Sequence, residues 1–293
     1  MLRIIKNWTL PIAMLTGVAA YQWISHISFL TPYLIFIMLL VTFCKLSPRD
    51  IRIRPAHIWL LLTQLIGCLL VYGLVRLYHP IVAQGAFICV FASTAISAAV
   101  ITGMLGGSVG FITSYLLLCN IGVAVAAPIL FPLIGPHSDI SFIAAFLYIG
   151  ERMVIVLTLP LGIAWFIRYY LPRLNNKILS VPKLPYYLWA VSLTIVTGST
   201  VKFLVEQEDP DYKTIIGLAA VSLILCIGQF LIGRRIGRHY ADPVSCGQGL
   251  GQKNTILAIW MAQTYLNPIS SVAPAAYVLW QNIINSYQLW LKK

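Results

Sequence analysis

Ten apolar runs, each near the length needed to cross a bilayer as a helix, follow one another with only short polar or basic breaks between them. They cover residues 8–25, 29–46, 57–77, 82–105, 108–133, 141–170, 185–204, 213–233, 243–264 and 268–290. Lipid cannot satisfy free backbone amides and carbonyls, so segments of this kind fold as helices or as closed barrels. The ten-residue alternation of a barrel is absent, which leaves helices. Hydrophobic residues make up 59% of the 293 positions and charged residues 10%, a balance far from that of a soluble domain. The expected fold is an all-α polytopic membrane protein, a single transmembrane domain over residues 1–293 with ten transmembrane helices.

The net charge of +12 does not point to nucleic acid, because the basic residues sit in short loops and not on one soluble face. With the N-terminus in the cytoplasm, the inner loops hold Arg3 and Lys6; Lys45, Arg49, Arg52 and Arg54; Arg168, Arg173, Lys177 and Lys183; Arg234, Arg235 and Arg238; and Lys292 and Lys293. That is most of the 20 lysines and arginines, and the bias predicts a multi-pass protein of the cell's inner or plasma membrane with both termini cytoplasmic. The acidic loop Glu206, Glu208, Asp209 and Asp211 falls on the outer side. An uncleaved first span is expected, although Val18, Ala19 and Ala20 form a passable signal-peptidase context. The six cysteines lack CxxC or metal-ligand spacing and read as free, packed thiols.

Ten helices divide into two halves of five, and an odd number per half inverts the second copy. Short matches fall in the order such a repeat requires. Gln64 to Gly67 resembles Gln229 to Gly233, Val125 to Pro128 resembles Val272 to Pro274, and Leu10-Pro11 resembles Leu159-Pro160. In each half the fourth helix is irregular. The fourth span runs through Ala92, Ser93, Thr94, Ala95, Ile96 and Ser97 towards four glycines, and the ninth through Ser245, Cys246, Gly247, Gln248, Gly249, Leu250 and Gly251. Such residues at membrane depth either free backbone groups for a ligand or let helices pack closely. Broken helices in corresponding places mark the midplane site of a secondary transporter.

Immediately after the second of these stretches comes Lys253, a cation inside an apolar segment. A charge at the bilayer centre costs about 3 kcal/mol on insertion scales and is rarely kept without a function.

The stretch Gly251, Gln252, Lys253, Asn254, Thr255, Ile256, Leu257, Ala258, with Trp280, Gln281 and Asn282 beyond it, resembles the bile acid:sodium symporter family. Its ninth helix reads Glu-x-Gly-x-Gln-Asn-x-x-Leu-Ala and its tenth carries Trp-His/Gln-Asn. Further likenesses are Leu46 to Ile51, Gln64, and Ala127 to Pro132. The resemblance implies a core of residues 57–133 and 213–290 working against a panel of residues 8–46 and 141–204, with helices 4 and 9 crossing where they unwind. It implies a secondary active transporter of an organic anion, bile-acid-like, steroidal or a smaller carboxylate or sulfate, by alternating access. It would place Lys253, Asn254, Thr255, Gln281, Asn282, Thr94 and Ser97 around the substrate.

At the family's cation sites this chain departs from the pattern. The sodium-binding Glu falls at Gly249, the Gln of the Gln-Asn pair falls at Lys253, and no Ser-Asn pair stands among residues 93–100. Gln64, Gly249, Leu250 and Gln252 are what remains of those sites. An ammonium in the same hole repels sodium, which argues against sodium coupling. Lys253 then replaces the missing cation, loads and releases a proton, or snorkels to a wet cavity.

The histidines at positions 26, 57, 79, 137 and 239 lie at span ends and read as interfacial, as do Trp8, Trp23, Trp59, Trp189 and Trp290. Glu151 and Arg152 read as a pair that snorkels from a tilted sixth helix. There is no GxSxG elbow, phosphate loop or dinucleotide fingerprint, so an enzyme is not expected, nor is a resident cofactor or metal. A non-transporting membrane sensor or a pore on the same fold is the alternative reading. The expected partners are the organic anion and the lipid bilayer; oligomeric state leaves no mark on the sequence.

Overall fold

The computed structural model describes residues 12–44, 52–135, 142–181, 184–206 and 211–292. Arg3, Lys6, Trp8, Leu10-Pro11, the stretch Leu46 to Ile51, His137, Lys183, Glu208, Asp209 and Lys293 lie outside the described residues, wholly or in part. The described chain is all helical, with one isolated β-bridge and no strand. In chain order the helices are α1 (12–19), α2 (Tyr21–Ile24), α3 (Thr31–Phe43), α4 (Pro55–Arg76), α5 (Pro80–Phe91), α6 (Ser97–Met104), α7 (Val109–Ile134), α8 (Phe142–Met153), α9 (Leu159–Tyr170), α10 (Pro172–Leu179), α11 (Leu184–Val205), α12 (Tyr212–His239), α13 (Pro243–Gly251), α14 (Thr255–Tyr265) and α15 (Val272–Leu291).

Proline and short polar residues punctuate them. Pro55, Pro80, Pro172 and Pro243 open α4, α5, α10 and α13, where a missing N–H costs nothing. His79, Ser108, Asp242 and Asn254 accept first-turn amides at the starts of α5, α7, α13 and α14. Between α8 and α9 the helix widens into a π-turn at Val154–Thr158. Pro160 follows, and its lack of an N–H removes the bond that the Val156 carbonyl would otherwise accept.

Five helical stretches are long and apolar enough to cross a membrane: Tyr21–Phe43, Pro55–Arg76, Val109–Ile134, Phe142–Tyr170 and Tyr212–His239. This is a multi-pass membrane protein. The structure redraws the expected map in several places. No loop separates the first two spans near residues 26–28; a 3-10 run, Ser25–Leu30, joins α2 to α3, and the break falls at Ala20. The basic stretch after Tyr170, read as a loop, holds α10. Pro128 lies deep inside α7 and Pro274 in the first turn of α15, so those two proline motifs are not equivalent positions.

The chain forms two compact units. One comprises residues 1–46 with 155–211, the other residues 47–154 with 212–293. In the first, α11 packs on α2 and α3, and α3 on α9. Gly17 and Gly198 let α1 and α11 close to backbone contact, since a Cβ on Gly17 would stand 2.6 Å from the Thr194 carbonyl oxygen. In the second, α12 packs on α13 and α15, α4 on α5, and α7 on α8. Phe87, Phe91, Phe131 and Tyr265 form a ring cluster whose neighbouring centroids lie 5.1 to 5.9 Å apart, and the first three are fully buried. All six cysteines are free and buried.

Histidine 57 departs from the expected interfacial role. It is fully buried, its Nδ1 accepts the Arg54 amide at 2.9 Å, and its Nε2 lies 3.1 Å from the Phe111 carbonyl oxygen. It ties the first turn of α4 to α7.

Candidate binding site at the crossing of two interrupted helices

In the second unit two pairs of short, largely buried helices stop and restart. α5 ends at Phe91 and α6 begins at Ser97; α13 ends at Gly251 and α14 begins at Thr255. The fourth span therefore breaks where its Ala-Ser-Thr-Ala-Ile stretch predicts. In the ninth the glycine-rich stretch stays helical, and the break falls just after it, at Gln252, Lys253 and Asn254. The glycines serve close packing instead. A Cβ on Gly251 would stand 2.4 Å from the Phe230 ring, one on Gly249 2.9 Å from the Tyr115 ring, and one on Gly247 2.7 Å from Cγ of Arg234.

The two interruptions pair with each other. Thr94 and Lys253 form an antiparallel bridge, in which the Ala95 amide donates to the Gln252 carbonyl at 2.9 Å and the Asn254 amide donates to the Ser93 carbonyl at 2.7 Å. Two extended backbones thus satisfy each other where water would otherwise be needed.

Four half-helix ends meet here, and the chain treats them unequally. At the C-terminal end of α5, the Lys253 ammonium donates to the Val90 carbonyl at 2.8 Å. Gln64 Nε2 donates to the carbonyls of Phe91 at 2.8 Å and Ala92 at 3.2 Å, and Gln229 Nε2 to that of Cys89 at 3.2 Å. At the C-terminal end of α13, the Thr94 hydroxyl donates to the Gly249 carbonyl and the Tyr277 hydroxyl to the Gly251 carbonyl, both at 2.8 Å. Lys253 is only 1% exposed. Its cation rests on the negative end of α5, which partly offsets the cost of burial. No carboxylate among the described residues forms a salt bridge with it.

The residues singled out from sequence divide as follows. Thr94, Lys253, Gln252 and Gln281 join the crossing directly, Gln281 by accepting the Lys253 backbone amide at 2.9 Å. Ser97 is more exposed and accepts from Gln252 Nε2 at 2.7 Å. Asn254 caps α14 through its side-chain oxygen, and Thr255, its buried first residue, follows. Asn282 instead turns back on its own helix, donating to the Val278 carbonyl at 2.6 Å.

Unspent polar capacity gathers at this place. Ser93 Oγ, Gln252 Oε1 and Asn254 Nδ2 are buried and have no hydrogen-bond partner. They are three of the fifteen such atoms among the described residues, and they are hydrogen-bonding capacity that a ligand could use. The N-terminal ends of α6 and α14, positive by their peptide dipoles, start at the same crossing.

The side-chain and backbone oxygens at Gln64 and Gly249 are already engaged. The Gln64 side-chain oxygen already accepts from the Tyr115 hydroxyl at 3.2 Å and the Cys119 thiol at 3.3 Å. The Gly249 carbonyl is taken by Thr94, and the Tyr115 ring stands where a side chain on residue 249 would begin. Among the described residues no group of three His, Cys, Asp or Glu side chains could hold a metal ion.

Sequence reading missed Tyr115 and Ser93 as functional positions and quoted Gln229 and Tyr277 only as parts of motifs. Gln229 Nε2 also donates to the Tyr277 hydroxyl at 3.1 Å. A tyrosine paired with a glutamine on each side of the crossing was legible only as two separate glutamine-bearing matches. No known family model matches the chain, and no curated protein matches it significantly.

Proposed function

We propose that this protein is a secondary active transporter of a small organic anion, working by alternating access around the crossing of its two interrupted helices. The observation that carries the reading is the crossing itself: paired breaks at membrane depth, a buried cation, two positive half-helix ends, and buried polar atoms left without partners. Ser93, Asn254 and Gln252 would hold the anion by neutral hydrogen bonds, with Thr255 and Ser97 beside them. Lys253 would stand in place of a co-transported cation, fixed to the α5 end and carried by the protein itself.

The arrangement of ten membrane segments as an inverted repeat is part of the same proposal. It is supported by like elements doing like work: a half-helix opened by Pro80 or Pro243 and capped by His79 or Asp242, a glutamine from α4 or α12, and a tyrosine from α7 or α15. The likeness to the bile acid:sodium symporter family adds to it, and the division of the chain into residues 1–46 with 155–211 and 47–154 with 212–293 is like the expected panel and core except that residues 141–154 fall with the core.

The test is a thermal-shift screen of organic acids on purified protein in sodium and in potassium buffers. A ligand that binds the folded state raises the melting point by mass action. The expected result is stabilisation by one class of organic anion, equal in both buffers. A shift that requires sodium ends the cation-replacement reading, and no shift with any organic acid counts against transport of this class.

A further inference from the structure

The apolar stretch Phe142–Tyr170, long enough to cross a membrane, ends in a patch of exposed rings. Phe166, Tyr169 and Tyr170 are all exposed, and the Tyr170 ring centre stands 5.0 Å from each of the other two. Amphipathic rings of this kind settle at the level of lipid headgroups. Leu171 then leaves helical geometry, at φ −126° and ψ 58°, and Pro172 opens α10 directly after it. Eight residues of helix are about 12 Å long, so α10 stays close to the surface that the rings mark.

The helix is two-faced. Leu174, 42% exposed, and Ile178 lie one turn apart on one side, with Leu171, 45% exposed, ahead of them. Arg173 and Lys177, both exposed, lie one turn apart beside that side. Asn175 is buried, so a third side holds α10 to its own unit, where it packs on α9. The two cations have no acidic counterpart close by in the chain. Residues 1–46 and 155–205 contain no aspartate or glutamate, and the carboxylates of this unit begin at Glu206, past the far end of α11, whose 22 residues span about 33 Å. Exposed leucines call for an apolar cover and exposed cations for an anionic one, side by side. A leaflet of anionic phospholipid offers both, with acyl chains beneath and phosphates above.

We propose that α10 is an interfacial anchor that binds anionic phospholipid headgroups through Arg173 and Lys177, with Leu171, Leu174 and Ile178 sunk among the acyl chains beneath them. The assignment does not depend on what the crossing binds, and it holds for a transporter, a sensor or a pore alike.

The experiment uses the purified full chain in phosphatidylcholine nanodiscs that carry a trace of either phosphatidylglycerol or phosphatidylcholine with a photoactivatable acyl chain. Adducts are located by peptide mass spectrometry. At low salt, residues 166–181 are expected to take up at least about fivefold more of the phosphatidylglycerol probe, the gain that one basic residue brings near an anionic surface. In roughly 1 M salt, where screening sets in within about 3 Å, the two probes are expected to label this segment alike. Arg173→Gln combined with Lys177→Gln is expected to abolish the preference here while leaving the ratio on residues 234–240, at the end of α12, as it is in the wild type. Should the double variant fail to fold, Arg173→Gln and Lys177→Gln are each expected to weaken the preference. Equal labelling by the two probes in the wild type at low salt, or a preference that survives these substitutions undiminished, overturns headgroup binding. Labelling of residues 166–181 by neither probe, the result if another protein covers this face, overturns the anchor itself.

Discussion

The C-terminal ends of α5 and α13 face the same problem and solve it differently. Each stops inside a buried environment with backbone carbonyls that no further turn of helix will pair. At α13 the answer is neutral, two hydroxyls, one from Thr94 of the other interruption and one from Tyr277 of α15. At α5 it is amides from Gln64 and Gln229 together with a full cation from Lys253, carried across from the other interruption. Hydroxyls alone satisfy one end, so hydrogen bonding does not require an ammonium at the other. The lysine is an addition of charge where satisfaction of carbonyls was available without it, and this asymmetry is the reason for reading Lys253 as functional.

The largest expected effect that breaks this comparison comes from Lys253→Met. It strips the charge and leaves the Val90 carbonyl bare, at a cost of about 1–3 kcal/mol of stability. Anion-induced stabilisation in a melting assay should fall by at least about tenfold in apparent affinity, or ~1.4 kcal/mol. Thr94→Val, the corresponding loss at α13, should cost a similar amount of stability yet leave anion binding within about threefold of wild type. Equal loss of binding in both variants would remove the distinction between the two ends.

Next in size is Gly251→Ala, whose methyl would meet the Phe230 ring at 2.4 Å; denaturation should register a loss of about 1–3 kcal/mol, partly restored by Phe230→Leu. Tyr277→Phe removes a donor to Gly251 and an acceptor for Gln229, for about 1–2 kcal/mol. Tyr115→Phe should cost roughly half as much, because the Gln64 oxygen still receives the Cys119 thiol. A larger cost at Tyr115 than at Tyr277 would reverse the order. The smallest effect belongs to Ser97→Ala, about 0.5 kcal/mol, since Ser97 is exposed and water can take the place of its hydroxyl.

Much of this was legible in the sequence because hydrophobic runs and prolines act locally. Runs of apolar residues gave α4 and α7 nearly to their ends, while α12 runs six residues past its expected end, through Arg234, Arg235 and Arg238. Lys253 was conspicuous as a charge inside an otherwise uncharged span. The position of the second break was not legible, because glycine between 247 and 251 serves either unwinding or close approach, and only the rings of Phe230 and Tyr115 decide for the latter. Nor was the role of Tyr115. It depends on which face of α7 meets Gln64, a tertiary fact that an aromatic residue in an apolar run does not advertise. Asn282 misled for the opposite reason: a match to a motif specified the residue but not its hydrogen bond, which runs back along its own helix.

Finally, every one of the six native thiols is enclosed, none more than 1% exposed. A membrane-impermeant maleimide should therefore leave the wild-type chain unlabelled, which makes it a ready-made blank for reporter chemistry. A cysteine set at exposed Tyr78 or Tyr240, at the ends of α4 and α12, would be the sole reactive group. Which of the two is stained from outside intact cells would then map the sidedness of this protein in its native membrane.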